Sequence, residues 1–521
     1  MPTLERAYWL LVSLLLAALG AIQITTMRME VQTFDEGFHL AAGYSYLSQG
    51  DYRMNPEHPP LSKLLAAAML LPMRPSLPTD SDAWHTRDQW EFADKFLYEN
   101  RAGADEMLLA ARLPTVALTL LLALAVAWWT RSRYGPAAGL LAAALTAFDP
   151  NLIAHGRYVT SDVIVTLFYF LAVVLWITWL ETGRRAALLG ASAAFGLAQV
   201  SKFSAVILVP VLSAIFLLRA WRTRTWSWRR VALGVASPAI AALLLIGAAY
   251  WRETGRLLTR KTSESSYLTG LRIVRDHNRM GHETYLLGEK RREGVWQYFP
   301  VAMAVKTPSA TLLLAALLLL FALAKRPPAY FATIAIAIAA GGYFVWAMSS
   351  RINLGLRHLL PFYPLFYVLL AAGAVRLGRA RLAAAAVALA AAESLAAYPH
   401  YLAFFNVLSG GPDRGANYLL DSNLDWGQDL KKLKRYAASQ GDPPLCLEYF
   451  GTANLSYYGV RAMGVPRSDA NEIAQVDCML AISVTLLKGL YVDPGSYVWL
   501  HDKTPVAKVG WSIWVYDLRK R

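Results

Sequence analysis

The chain has 521 residues, of which 56% are hydrophobic and 17% charged, and its mean hydropathy is +0.33. Soluble domains carry about 25% charged and about 45–50% apolar residues, so a wholly soluble protein, a disordered chain and a fibrous repeat are excluded. The formal net charge of +15, from 51 Lys+Arg against 36 Asp+Glu, would suggest nucleic acid in a soluble protein, and its meaning here depends on where the cations lie.

A helix crosses the hydrocarbon core with roughly 20 mostly apolar residues. Runs of this kind recur at 7–27, 113–130, 134–148, 163–180, 186–201, 203–218, 231–251, 307–324, 327–350, 359–375 and 382–405, the last interrupted by Glu393. The expectation is a mainly α, polytopic membrane protein with about eleven spans. The first run has no small-residue cleavage site behind it and reads as a retained span rather than a leader. With a cytoplasmic N-terminus, the short inside loops hold 14 cations and the short outside connections only 4, namely Arg157, Lys202, Arg351 and Arg357. Most basic residues are therefore topology markers, and nucleic acid is not the expected partner.

Three parts remain on the outer face: 28–112, 252–306 and a tail from about 406. In the tail, the short apolar runs Leu445–Phe450, Cys478–Val484 and Ser512–Tyr516 are strand-like, and Asp425–Ser439 reads as an amphipathic helix. A membrane module over 1–405 and an extracytoplasmic α/β domain over 406–521 are expected. Cys446 and Cys478 both lie in this tail, and a disulfide and two buried thiols are both open readings.

Ionisable groups beside lipid are expensive and mark pathways or sites. Four clusters stand at the outer ends of spans. Asp35 and Glu36 follow the first span; they read either as a solvated helix start or as a base for an acceptor hydroxyl. His58 stands before Pro59-Pro60, at the start of a short helix on the membrane, and reads as structural rather than as a metal ligand. Asp149, His155, Arg157 and Asp162 crowd one short connection, where Ser161 or Asp162 is also a candidate N-cap. Lys202, Lys306, Arg351, Arg357 and His358 are outer-face cations on the side that topology leaves poor in positive charge, and they suit a phosphate at the bilayer surface. Together these residue types suit transfer of a group from a lipid phosphate to an acceptor outside the membrane. A glycolipid transporter or flippase is the competing reading, although no repeated halves with broken helices are visible in the sequence.

Several segments, in order, resemble the GT-C membrane glycosyltransferases of glycosyltransferase family 39, the protein O-mannosyltransferase and aminoarabinose transferase type. They are Asp35-Glu36, His58-Pro59-Pro60-Leu61, the run His155–Asp162, Ser201-Lys202-Phe203, Tyr298–Ala302 with Lys306-Thr307-Pro308, and Arg357-His358-Leu359-Leu360-Pro361. The resemblance implies inverting transfer of a sugar from a polyprenyl-phosphate donor. By matched motif, it makes Asp35 the base, with Glu36 beside it and Asp162 as the second acid. Lys202 and Arg357 become the donor-phosphate cations, and Arg157 and His58 are weaker matches; His155, His358 and Lys306 stand as further substrate-binding candidates. The tail segments 397–406 and 421–430 resemble a bacterial branch. This implies a bacterial inner membrane with the site on its periplasmic face. The acceptor, whether protein, lipid or glycan, stays open. No cofactor is expected; a divalent cation on Asp35, Glu36, Asp162 and His58 is an alternative that the resemblance does not favour.

Overall fold

The computed structural model describes residues 2–259, 265–325 and 330–520; Arg326, counted above among the inside cations, lies outside them. Among the described residues, each of the eleven apolar runs contains a helix. In chain order the helices that build the molecule are α1 (Pro2–Met27), α2 (Glu36–Gln49), α3 (Leu61–Ala68), α4 (Ala104–Tyr134), α5 (Pro136–Ala147), α6 (Asp162–Thr182), α7 (Arg185–Gln199) and α8 (Leu208–Thr223). They continue with α9 (Trp228–Ala249), α10 (Ser266–Met280), α11 (Tyr298–Lys306), α12 (Ser309–Lys325), α13 (Phe331–Met348), α14 (Phe362–Arg376), α15 (Ala380–Ala396) and α16 (Leu430–Ser439).

Among the described residues, six helical stretches have the length and apolar composition of a span: Leu4–Met27, Ala104–Tyr134, Asp162–Thr182, Phe203–Thr223, Trp228–Ala249 and Phe331–Met348. The pair α11 and α12 would make a seventh, but it is bent by 111°. The bend has a local cause. Pro308 disfavours the helical conformation for the residue before it, and Thr307 is extended, at φ −90° and ψ 136°. The other four expected spans are shorter. The 12 residues of α5 rise only about 18 Å, against a hydrocarbon core of about 30 Å. The chain is a multi-pass membrane protein. Its largest core cluster packs Trp129, Tyr169, Trp176, Tyr343 and Tyr363 among the long helices.

Helix α4 starts nine residues before the apolar run at 113. Gly103 precedes it, and Asp105 and Glu106 occupy its first turn, where carboxylates favour the helix dipole. This early start carries Arg112 into the helix and beneath the outer segments.

The connection between α9 and α11 holds α10 and a small hairpin, β1 (Thr284–Leu286) against β2 (Glu289–Arg291). The tail holds a four-stranded sheet of β3 (Leu445–Glu448), β4 (Met479–Ser483), β5 (Ala507–Val509) and β6 (Ile513–Asp517), in the order β3-β4-β6-β5. β3 and β4 are parallel, and the other pairs antiparallel. Side chains alternate across it. Met479, Ala481, Ile513 and Val515 meet Leu430 and Leu433 of α16, while Leu480, Ile482 and Tyr516 turn toward Tyr158, Trp426 and Leu19 of the membrane part. The apolar runs predicted as strands are thus buried on both faces. Cys446 and Cys478 are joined by a disulfide with their Cα atoms 6.0 Å apart, which decides between the two open readings.

Candidate active site

The helix ends that carry these residues converge under the tail. Residues 31–34 are tied to it by backbone bonds from Val31 N–H to Gln428 O, 3.2 Å, and from Phe34 N–H to Trp426 O, 2.9 Å. This tether sets the start of α2. Asp35 occupies its N-cap position, yet its side chain makes no cap hydrogen bond. Instead Oδ2 accepts from Arg357 Nη1 at 2.9 Å, so the solvated-helix-start reading fails for this residue.

Arg357 sits on a single 3-10 turn, Leu356–Leu359, anchored where Leu356 N–H donates to Asn423 Oδ1 at 2.9 Å. Its guanidinium lies 4.3 Å over the Trp426 ring. Nη1 also stands 3.7 Å from Asp162 Oδ2, and Nε is buried without a partner. Asp162 is the first residue of α6; Ser161 takes the N-cap position without a side-chain cap bond. The Asp162 carboxylate is thereby left free for Lys202, whose Nζ donates to Oδ1 at 2.5 Å. Lys202 itself is held in extended backbone between α7 and the next helical turn.

Four residues that are far apart in sequence thus form one continuous ion-pair chain, Asp35–Arg357–Asp162–Lys202. Burial works against the Arg357 charge, but Asp35, Asp162 and Asp421 outweigh it and keep the guanidinium protonated. The neighbouring imidazoles go the other way. Burial, then nearby positive charge, pushes His58 and His358 well below the ordinary histidine range, with Lys202 and Arg357 among the charges acting on both. Burial holds His155 down to about 3 despite Asp162 nearby.

The ends of the ion-pair chain face two different cavities. One, of about 340 Å³, is bordered by Lys202, His58, His277 and His358 and by apolar side chains such as Leu271 and Trp346. The second, of about 480 Å³, is bordered by Asp35, Arg357, Asp421 and Tyr491 and by the aromatic rings of Trp426 and Phe450. Residues of the tail supply most of its wall.

Three expected site residues are placed elsewhere. Glu36 does not face Arg357. Both of its oxygens are taken by Arg112, at 2.8 Å from Nε and 2.6 Å from Nη2, and by the backbone N–H groups of Thr33 and Val159 at 2.8 and 2.9 Å. Burial raises its pKa, but Arg112 outweighs burial and holds the carboxyl below its ordinary value. Arg157 is fully buried against Glu30, 2.7 Å from Nη2 to Oε1, and donates to Ile153 O at 3.1 Å, so no donor of it is directed at either cavity. Lys306 donates to Leu402 O and Asn423 O at 2.8 and 2.6 Å and ties α11 to the tail. In each case the buried group is bonded to partners distant in the chain, which sequence spacing could not disclose.

Asp421, Tyr491, His282 and Trp426 were missed. Asp421 and Trp426 lie in the 421–430 segment, whose density of polar and aromatic residues was the available signal; Tyr491 and His282 carried none. Among the described residues, no group of three or more His, Cys, Asp or Glu could hold a metal ion.

Against solved structures, the chain is similar to ArnT from Cupriavidus metallidurans bound to undecaprenyl phosphate, at a TM-score of 0.53 and 14% identity over 97% of each chain. The apo form of that protein matches at a TM-score of 0.52, with the same identity and coverage. The chain has the GT-C fold. Residues 104–251 match the family model for dolichyl-phosphate-mannose-protein mannosyltransferase, and the whole chain resembles the GT-C membrane enzymes of family 39. No curated protein matches it in sequence. The four-residue ion-pair chain lies where the helix ends meet the tail.

Proposed function

We propose that the protein is an inverting glycosyltransferase that moves a sugar from a polyprenyl-phosphate donor to an acceptor hydroxyl on the periplasmic face of a bacterial inner membrane. The observation that carries this reading is the ion-pair chain with a lysine at one cavity and a carboxylate at the other. In this reading residues 1–405 form the membrane catalytic module, and 406–521 form the outer unit that closes the second cavity. The ArnT structure with undecaprenyl phosphate supports a lipid phosphate as the donor class.

The donor phosphate would enter the first cavity, whose apolar wall suits a prenyl chain. An ammonium has three donors, and Lys202 gives one to Asp162, so two remain for phosphate oxygens. Asp162 holds Lys202 and Arg357 in place. At the other cavity Asp35 takes the acceptor hydroxyl proton, as a positioned carboxylate can. The acceptor oxygen then bonds to the anomeric carbon from the face opposite the phosphate, and the carbon–oxygen bond to phosphate breaks. Charge growing on the leaving phosphate meets Lys202, already oriented before reaction, with the Arg357 guanidinium on the far side of Asp162 adding positive charge. His58 and His358, neutral at the cavity wall, are hydrogen-bonding groups for the donor, and His155 packs edge-on against Trp426 at 6.0 Å. These cations supply the positive charge, so the reaction runs without a divalent cation.

The test is undecaprenyl phosphate binding to the purified full chain, with a panel of undecaprenyl-phosphate sugars scored for lipid-phosphate release. Lys202→Ala should weaken lipid binding at least tenfold. Unchanged binding would remove Lys202 from the phosphate site, and a wild-type protein that neither binds the lipid nor releases it from any donor would refute the reading.

A further inference from the structure

A second pair of cavities lies at the other end of the bundle, and the chemistry above leaves it unused. Helix α6 begins at Asp162 of the ion-pair chain, and α8 begins after the helical turn that follows Lys202; both run away from the site. Leu180 comes 18 residues after Asp162 on α6, a rise of about 27 Å. There it borders a cavity of about 300 Å³ together with Arg219, Arg230, Thr225, Ser227 and Trp226. A cavity of about 390 Å³ adjoins it and shares Phe216 and Trp226 as wall. This second one lies between α8 and α9, reaches Trp176 of α6 and Phe195 of α7, and is walled mainly by apolar side chains. We propose that the two cavities together bind an anionic glycerophospholipid of the bilayer, its phosphate against Arg219 and Arg230 and its acyl chain in the groove between α8 and α9. The site stands apart from the glycosyl-transfer reading and does not depend on it.

The basic cavity is built by a short reversal of the chain. Helix α8 ends at Thr223, Arg224 takes the left-handed conformation at φ 50°, and Ser227 caps α9 by accepting the Arg230 N–H at 3.4 Å. Residues 219–230 contain five arginines, three tryptophans and no carboxylate. Glu181, next to Leu180 in the chain, is paired with Arg133, and no acid borders the cavity. Its positive charge therefore has no counter-charge on the wall. Arg219 lies 5.2 Å over the Phe331 ring, and its Nε is buried with no hydrogen-bond partner among the described residues. A buried donor left unpaired is costly, and a phosphate oxygen is an acceptor that would pair it. A guanidinium meets phosphate as a planar fork, and the hydroxyls of Thr225 and Ser227 add donors at the same mouth.

The groove follows from the way α9 packs. It is the least buried of the described spans, with 11% of its apolar window buried. It meets α7 closely at Gly196, where a Cβ would lie 2.9 Å from Ala241 O, while its first half leaves the groove against α8. Leu217 and Val235 on the rim are 55% and 67% exposed, so the groove opens on the apolar flank of the bundle, where an acyl chain can enter. Trp226 and Trp228 stand exposed at the basic end, the position tryptophan takes at a membrane–water boundary. An apolar groove alone would take any lipid; the arginines select an anionic one, as basic pockets between spans do. A chain in the groove would brace α8 against α9.

The probe is phosphatidylglycerol, with phosphatidylcholine of the same acyl chains as the control, added to the delipidated full chain in neutral detergent. Binding is read as lipid retained in native mass spectrometry and as a rise in thermal midpoint. Phosphatidylglycerol should be retained at concentrations where phosphatidylcholine is not, with a saturable rise in midpoint. Arg230→Gln, at an exposed side chain, should weaken retention about fivefold, the contribution of one cation beside an anionic lipid, and Arg219→Gln added to it about twentyfold in all. Val235→Trp, which fills the groove and leaves every cation in place, should weaken retention at least as much as Arg230→Gln. Equal retention of the two lipids by the wild type, or phosphatidylglycerol retention unchanged in both Arg230→Gln and Val235→Trp, would overturn the proposal. Glycerol phosphate raising the midpoint as far as phosphatidylglycerol would make this a site for free anions, and undecaprenyl phosphate displacing phosphatidylglycerol at equal concentration would make it a site for the donor lipid; either result also overturns it.

Discussion

Replacing Asp35 with Asn separates its proposed chemistry from its structural part. The carboxylate is 16% exposed and its one strong partner is Arg357 at 2.9 Å. An asparagine carbonyl can still accept that bond, and Arg357 keeps Asp162 at 3.7 Å; folding and lipid binding should therefore change little. What disappears is the acceptance of a proton. Loss of a positioned general base costs about 10²–10⁴ in rate, which is about 3–5 kcal/mol of barrier at 1.36 kcal/mol per decade. The assay is release of undecaprenyl phosphate from whichever donor the wild type turns over, measured as kcat and KM with the thermal midpoint beside it. The expected result is a fall in kcat of at least a hundredfold, with KM for the donor within about threefold. A kcat within about threefold of wild type would refute the assignment of Asp35 as base. A collapse of lipid binding would instead move Asp35 into the architecture of the donor site.

Glu36→Gln should do the reverse. It breaks a buried pair with Arg112, whose side chains are 0% and 1% exposed, and removal of one partner of such a pair costs about 3–5 kcal/mol; differential scanning should show a clear fall in thermal midpoint. The pH dependence has a definite sign. Because the folded Glu36 pKa lies below its ordinary 4.5, its contribution is fully present above that value and is lost as pH falls through the folded pKa, so acid titration of stability in the wild type should lose a component absent from Glu36→Gln. Chelation with EDTA should leave lipid-phosphate release unchanged, since Lys202 and Arg357 supply the positive charge; a loss restored by one divalent ion would overturn that part of the mechanism. Cys446→Ser with Cys478→Ser should destabilise the tail by about 3–4 kcal/mol, the chain-entropy value for a loop of this size given the sequence separation of 32. Limited proteolysis of the tail would read it.

The membrane part and the strands of the tail are legible in the chain because they rest on local composition: an apolar run must be buried whatever surrounds it. Among the described residues each of the eleven runs contains a helix, and Leu445–Phe450, Cys478–Val484 and Ser512–Tyr516 each contain strand residues. The motif positions of Asp35, Asp162, Lys202 and Arg357 also led to a real cluster. Glu36, Arg157 and Lys306 looked equivalent to them in the sequence and are not. A charged residue beside lipid has one local signature whether its partner is a substrate or another side chain. Arg112 lies 76 positions from Glu36, and Glu30 lies 127 from Arg157, so only the tertiary structure could show which charges are already satisfied. The second cavity of the site exists only once the tail lies on the helix ends. The sequence by itself determined that this is a membrane protein with charged residues gathered at the ends of its apolar runs. The fold decided which of them face a cavity, because burial and pairing are properties of residues brought together from distant parts of the chain.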